Sequence, residues 1–309
     1  MAPGHKVREA LDAADDARLK LRLGTEGPLP DALLVVEELA GVPVAILDLR
    51  DGLAGAYGRR RGQPFIFLNG NDPVVRQRFT LAHELGHHWL GHRPVIDTSE
   101  TVSGRTNDLD EIQANYFAGA FLLPRAAIDH WAVRSGVDRF DLEKLVRLAA
   151  TFSASAQMAR VRLEICGRLS AAEKARLDEA RGQGQHRGLA ALIGVDADGP
   201  ADQIAEVKRT GELPRLPKLM YEYGMRGLSR GLVDPDRLAD ALGRERGWVD
   251  QQIEELGLAR LSTAQLAAEM VVAGALSRVE GEVVYVSAGG DAQHFFNTLK
   301  QATEAAARP

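Results

Sequence analysis

A single cysteine among 309 residues leaves the chain unable to form an internal disulfide, and it withholds the thiolates from which closed structural zinc sites are usually built. Long apolar runs are missing as well. The longest, near residues 266–276, is interrupted by Glu269 and falls short of the roughly 20 residues that a bilayer-spanning helix needs. The first ten residues, Met-Ala-Pro-Gly-His-Lys-Val-Arg-Glu-Ala, lack the apolar core of a signal peptide, so a cytoplasmic protein without a membrane partner is expected. Charge of one sign is not in excess either. A net charge of −5 gives no broad attraction for nucleic acid, although a local basic face is compatible with it. With 45% hydrophobic residues, the chain can bury a core and has the length for two domains.

What is present is concentrated in Thr-Leu-Ala-His-Glu-Leu-Gly-His, residues 80–87. On a helix, His83 and His87 lie about 40° apart around the axis, and one ridge presents both imidazoles to a single Zn²⁺. Glu84 falls roughly 60° further round, where the general base of a peptide hydrolase must stand. Chance would produce this pattern on the order of 0.01 times in such a chain. Asp72-Pro73 reads as a helix start, with Asp72 as N-cap, and Val74, Val75, Phe79, Leu81, Ala82, Leu85, Trp89 and Leu90 continue the apolar pattern through the motif.

A catalytic zinc site takes a third protein ligand and keeps one position open. The candidate is Glu111, which shares a helical face with Ala114, Asn115, Ala118 and Leu122 ahead of Pro124. Small side chains on that face allow close approach to the histidine helix, and Asn115 is placed to hydrogen-bond a ligand. The competing reading makes Glu111 a solvated acid near a helix N-terminus, together with Asp108 and Asp110.

These residues resemble the ImmA/IrrE family of zinc endopeptidases: His-Glu-Leu-Gly-His, then Glu-x-x-Ala-Asn-x-Phe-Ala and Leu-Leu-Pro, with similar stretches at residues 65–69 and 76–82. The likeness covers residues 30–165. It implies that His83, His87 and Glu111 hold one catalytic Zn²⁺ and that Glu84 is the base. It also implies a substrate, a helix-turn-helix repressor whose cleavage switches on a mobile element, a DNA-damage response or an anti-phage operon, with nucleic acid as a conceivable activator.

The expected fold class is α+β: a zincin-like peptidase domain at residues 1–180, made of a small β-sheet and active-site helices, followed by a mostly α-helical domain at residues 189–309. A helix is expected at residues 33–39, a strand at 42–49, and a hairpin with strands at 54–57 and 64–68 whose tip carries Arg59, Arg60 and Arg61. Residues 64–69 form the candidate substrate edge, since an extended peptide can add to an edge strand through its backbone. Helices are expected at 125–132, 141–152 and 155–164, with a glycine-rich linker at 181–188. Cys166 is a candidate thiol for blocking the open position on zinc, or a small buried apolar residue.

Residues 236–256 resemble a helix-turn-helix in Ala239, Gly243 and Val249, but Asp250, Glu254 and Glu255 make the second helix acidic for a DNA reader. An interaction module is the preferred reading. A strand at 282–287 and a terminal helix at 291–306 complete the chain. The alternatives to a specific endopeptidase are a DNA- or protein-binding regulator with a structural zinc site, and a broad-specificity peptidase. No oxyanion donor is evident, because Tyr116, His88 and His92 all project away from the site on ideal helices.

Overall fold

In the computed structural model, residues 44–69 form three strands of a mixed four-stranded sheet, separated by turns that carry Gly52 and Gly62. The structure describes residues 3–195, 202–229, 233–255, 272 and 292–306. The strands are β1 (Val44–Leu47), β2 (Leu53–Arg60), β3 (Gln63–Asn69) and β4 (Val95–Thr98), in the order β1-β3-β2-β4. β1 runs parallel to β3, while β2 is antiparallel to both β3 and β4. Arg61 and Gly62, at φ 52° and 83°, make the two-residue turn whose twist suits a hairpin, and the three arginines are exposed there.

This order corrects the expected substrate edge. β3 is paired on both sides, so residues 64–69 have no free edge. Part of the outer edge of β1 is taken by Arg215, which exchanges both backbone hydrogen bonds with Ile46. The outer edge of β4 is open among the described residues.

The first unit spans Met1–Pro217. Its helices are α1 (Pro3–Lys20), α2 (Ala32–Leu34, running into a π-helical turn at Val35–Leu39), α3 (Val74–Leu90), α4 (Ser99–Val102), α5 (Leu109–Leu122), α6 (Arg125–Arg134), α7 (Leu142–Thr151), α8 (Ala156–Ile165), α9 (Ala171–Gly182), α10 (Gln185–Leu192) and α11 (Gln203–Thr210). Ile46, Ile66 and Leu68 of the sheet share one core with Leu81 and Leu85 of α3 and with Phe117 and Phe121 of α5. Gly86 lets α3 and α5 approach closely, since a Cβ there would stand 2.9 Å from the Phe117 ring. Arg18 of α1 is wholly buried and donates to the carbonyls of Gly24, Gly27 and Phe121, closing the end of α5.

The start of α3 differs from expectation. Pro73 takes the N-cap position without a side-chain cap, and Gln77 instead donates to the carbonyls of Gly70 and Asp72. The expected linker at 181–188 is helical on both sides of a turn at Gln183 and Gly184, and the chain divides between Pro217 and Lys218. The reason lies in residues 202–215. Asp202 caps α11 and forms a buried ion pair with Arg78 of α3 at 2.6 Å. Lys208 donates to the carbonyls of Gly70 and Asn71, and Arg215 grips both oxygens of Glu37 at 2.7 and 2.6 Å. Asp202→Ala leaves the Arg78 charge buried without this partner, so it is expected to cost about 3 kcal/mol in denaturant unfolding.

The second unit, Lys218–Pro309, contains α12 (Lys218–Ser229), α13 (Pro235–Leu242), α14 (Arg246–Glu255) and α15 (Ala292–Ala306). Asp234 caps α13, Gly243 at φ 60° turns the chain, and Leu238, Ala239, Leu242 and Val249 are buried. The helix-turn-helix-like segment is therefore two helices about a glycine turn. Arg246 is held by the carboxylates of Asp236 and Asp250. The strand expected at 282–287 lies outside the described residues, as does most of the 266–276 stretch. No helix among the described residues is long and apolar enough to cross a membrane.

Candidate metal centre

α3 carries His83, Glu84 and His87 toward α5, which supplies Glu111, and all four side chains are buried. His83 Nε2 and His87 Nε2 face each other at 3.1 Å. Glu111 spans the pair, with Oε2 at 3.3 Å from His83 Nε2 and Oε1 at 3.4 Å from His87 Nε2. The three candidate ligands from the sequence thus converge.

The structure adds a fourth group that the sequence reading missed. Asp97 of β4 is buried, with Oδ2 at 3.5 Å from His83 Nε2 and 3.8 Å from His87 Nε2. A tetrahedral ion with bonds of about 2.0–2.1 Å needs donors roughly 3.3–3.4 Å apart. The two Nε2 atoms and the Glu111 oxygens, at 3.1, 3.3 and 3.4 Å, come near that requirement, and Asp97 Oδ2, at 3.5 and 3.8 Å, stands slightly beyond it. Asp97 Oδ2 and Glu111 Oε2 have no hydrogen-bond partner among the described residues, which is costly for buried carboxylates unless a cation lies between them. A group of two imidazoles and two carboxylates suits a divalent metal.

Hydrogen bonds behind the histidines fix which nitrogen faces the group. Asn115 Nδ2 donates to the Thr101 carbonyl, which aims Asn115 Oδ1 at His83 Nδ1, 3.2 Å away. The amide oxygen accepts a hydrogen bond from Nδ1–H, so Nε2 is the nitrogen that faces a metal. His87 is supported similarly by His92, with the two Nδ1 atoms 3.0 Å apart. His92 was expected to project away, but α3 ends at Leu90 and Gly91, at φ 73°, folds the chain back so that His92 N–H donates to the His87 carbonyl. His88 faces elsewhere, with Nδ1 3.3 Å from the Tyr57 hydroxyl. Cys166 follows α8, buried, and is not in the cluster. Burial pushes its thiol up, away from the thiolate form that binds metals.

Electrostatics divide these groups sharply. Burial works against charge on His83, but the Asp97 and Glu111 carboxylates that face its Nε2 outweigh it and raise its pKa to about 10. Burial and the His83 charge push His87 down to about 3. Asp97 is lowered to about 2, the attraction of His83 overcoming burial. Glu84 is raised well above the usual carboxylate range by burial, reinforced by Asp97 and Glu111 against the pull of His83. At pH 7 an incoming cation must therefore displace the His83 proton, whereas His87 and Asp97 are already deprotonated. Metal uptake should release at least one proton, and affinity should climb with pH until His83 deprotonates near 10. Calorimetry in buffers of different ionisation enthalpy reads this directly.

Glu84 stands beside the donor group without belonging to it. No donor reaches either of its oxygens among the described residues, and Asp97 is near enough to accept from Glu84 when Glu84 is protonated. Gly55 of β2 clears the space: a Cβ at that position would lie 2.7 Å from Glu84 Oε1 and 2.9 Å from the Phe67 carbonyl.

Residues 37–164 match the family model described as Peptidase_M78: IrrE N-terminal-like domain. The match takes in every residue of the cluster and of its hydrogen-bonded support, and leaves α1 and everything from Ile165 onward outside. No curated protein matches the chain.

Proposed function

Proceeding from a chain that carries a Peptidase_M78 domain, we propose that it is a zinc-dependent endopeptidase whose substrate is a helix-turn-helix repressor, cut to derepress a stress, mobile-element or anti-phage operon. The observation that carries the peptidase reading is Glu84, a buried carboxyl group that no donor reaches among the described residues, beside a His, His, Glu group. His83, His87 and Glu111 would hold the metal, which supplies Lewis acidity toward a peptide carbonyl and a lowered pKa for water. Glu84 accepts the proton of the attacking water at its carboxylate and returns it to the leaving amine. Asn115 and His92 hold the two imidazoles in the orientation just described. The open edge of β4, next to Asp97, offers backbone groups to an extended peptide, and Ile96 is 72% exposed on that strand.

A second reading, a regulator with a structural metal, draws on Asp97, because four protein donors are the mark of a closed site. Against it stands Glu84, a costly buried acid for which a structural site has no use. The repressor substrate rests on the family resemblance. Its test is to mix metal-loaded protein with a small helix-turn-helix protein encoded beside it, with and without nucleic acid, and to follow intact masses. One cut in that protein, with unfolded casein left whole, supports the proposal. An uncut partner alongside fragmented casein would favour a broad-specificity peptidase.

A further inference from the structure

The donor group is closed on every side that the structure describes. His83, Glu84 and Asp97 are wholly buried, and His87 and Glu111 nearly so, so none of these side chains is presented to a peptide in this arrangement. Asp97 is what closes it. Its Oδ2 stands 3.5 and 3.8 Å from the two Nε2 atoms, close to the separation that separates those nitrogens from Glu111. It lies where a fourth ligand would stand, the position that a hydrolase leaves to water.

Asp97 is also held from behind. Thr101 Oγ1 donates to Asp97 Oδ1 at 3.1 Å, and the Thr101 carbonyl accepts from Asn115, whose oxygen faces His83. This support sits on a four-residue edge strand and the one-turn helix that follows it. Among the described residues β4 pairs only with β2, through a register shift between Leu53 and Gly55. Such an element can move without dismantling the sheet, whereas α3 and α5 are locked into the core.

Building on the reading of this cluster as a catalytic metal site, we propose that Asp97 is a fourth protein ligand and acts as a latch. With Asp97 in place the centre is a closed, resting site. Hydrolysis requires the carboxylate to withdraw with the β4–α4 segment, as when a peptide docks along the β4 edge.

The test uses the full-length protein loaded with Co²⁺, whose visible bands report the number and kind of its ligands. Wild type, Asp97→Ala and Asp97→Asn are compared before and after adding acetohydroxamic acid, a small chelating ligand for open sites. Wild type should keep its four-coordinate spectrum at hydroxamate concentrations that saturably change both variants. Metal affinity should fall at least about 10-fold in the variants, the lower end of what loss of even an outer partner costs. Asp97→Asn, which keeps the size and a hydrogen-bonding oxygen for Thr101, serves if Asp97→Ala does not fold. Wild-type spectra that respond to hydroxamate as the variants do, with equal metal affinities, would overturn the latch. Because these readings need no turnover, they are separate from the cleavage assay: a protein that cuts its partner with an open wild-type site would sink the latch alone.

Discussion

Glu84→Gln is expected to lower peptide-bond cleavage by about 10²–10⁴-fold while leaving one metal bound per chain. Glutamine has the shape of glutamate, so it fits the space that Gly55 clears and does not disturb α3. It cannot take a proton from water, which is the one task assigned to this side chain. Glu84 is absent from the donor group, so the imidazoles and Glu111 are left to bind as before. The raised pKa of Glu84 belongs to the metal-free protein; a divalent cation beside it favours the carboxylate, as a base requires. Rate on a cut substrate and metal content by elemental analysis are measured on the same preparation. Cleavage at the wild-type rate would remove Glu84 from the mechanism. Loss of metal would instead make it a ligand.

Removal of the metal should lower the melting temperature by roughly 8–16 °C. His83, His87, Asp97 and Glu111 are four buried ionisable groups whose best partner is a cation between them. A ligand present at 1,000 times its dissociation constant stabilises the folded state by about 4.1 kcal/mol. For a unit the size of Met1–Pro217, each kcal/mol shifts the midpoint by about 2–4 °C. Calorimetric scans with chelator, then with excess Zn²⁺, read the difference, and the same scans of His87→Ala should show none. A wild-type midpoint indifferent to chelator would mean that the cluster binds no metal tightly.

Much of the centre was legible because helices translate sequence spacing directly into faces. His83 and His87 share a ridge of α3, and Glu111 and Asn115 share one of α5, whatever the rest of the chain does. Asp97 was not legible. It sits in a four-residue strand, and its inward direction depends on pairing with β2 through a register shift. The only signal was the alternation of Val95, Ile96 and Asp97, which places Asp97 opposite an apolar residue that proves exposed. His92 was misplaced for a related reason, since Gly91 ends the periodicity from which its direction was extrapolated. The hairpin at Arg61-Gly62 could be read from its turn, but the central place of β3 could not, because parallel pairing with β1 leaves no local mark. The extent of the first unit was hidden in partners far apart in sequence, Arg78 with Asp202 and Glu37 with Arg215.

The most direct test of the account is anomalous diffraction at the zinc edge from crystals of the zinc-loaded protein. The account predicts one peak, within bonding distance of His83 Nε2, His87 Nε2 and a Glu111 oxygen, with Glu84 nearby but unbound. No peak between α3 and α5, or one bound by Glu84 in place of Glu111, would contradict it.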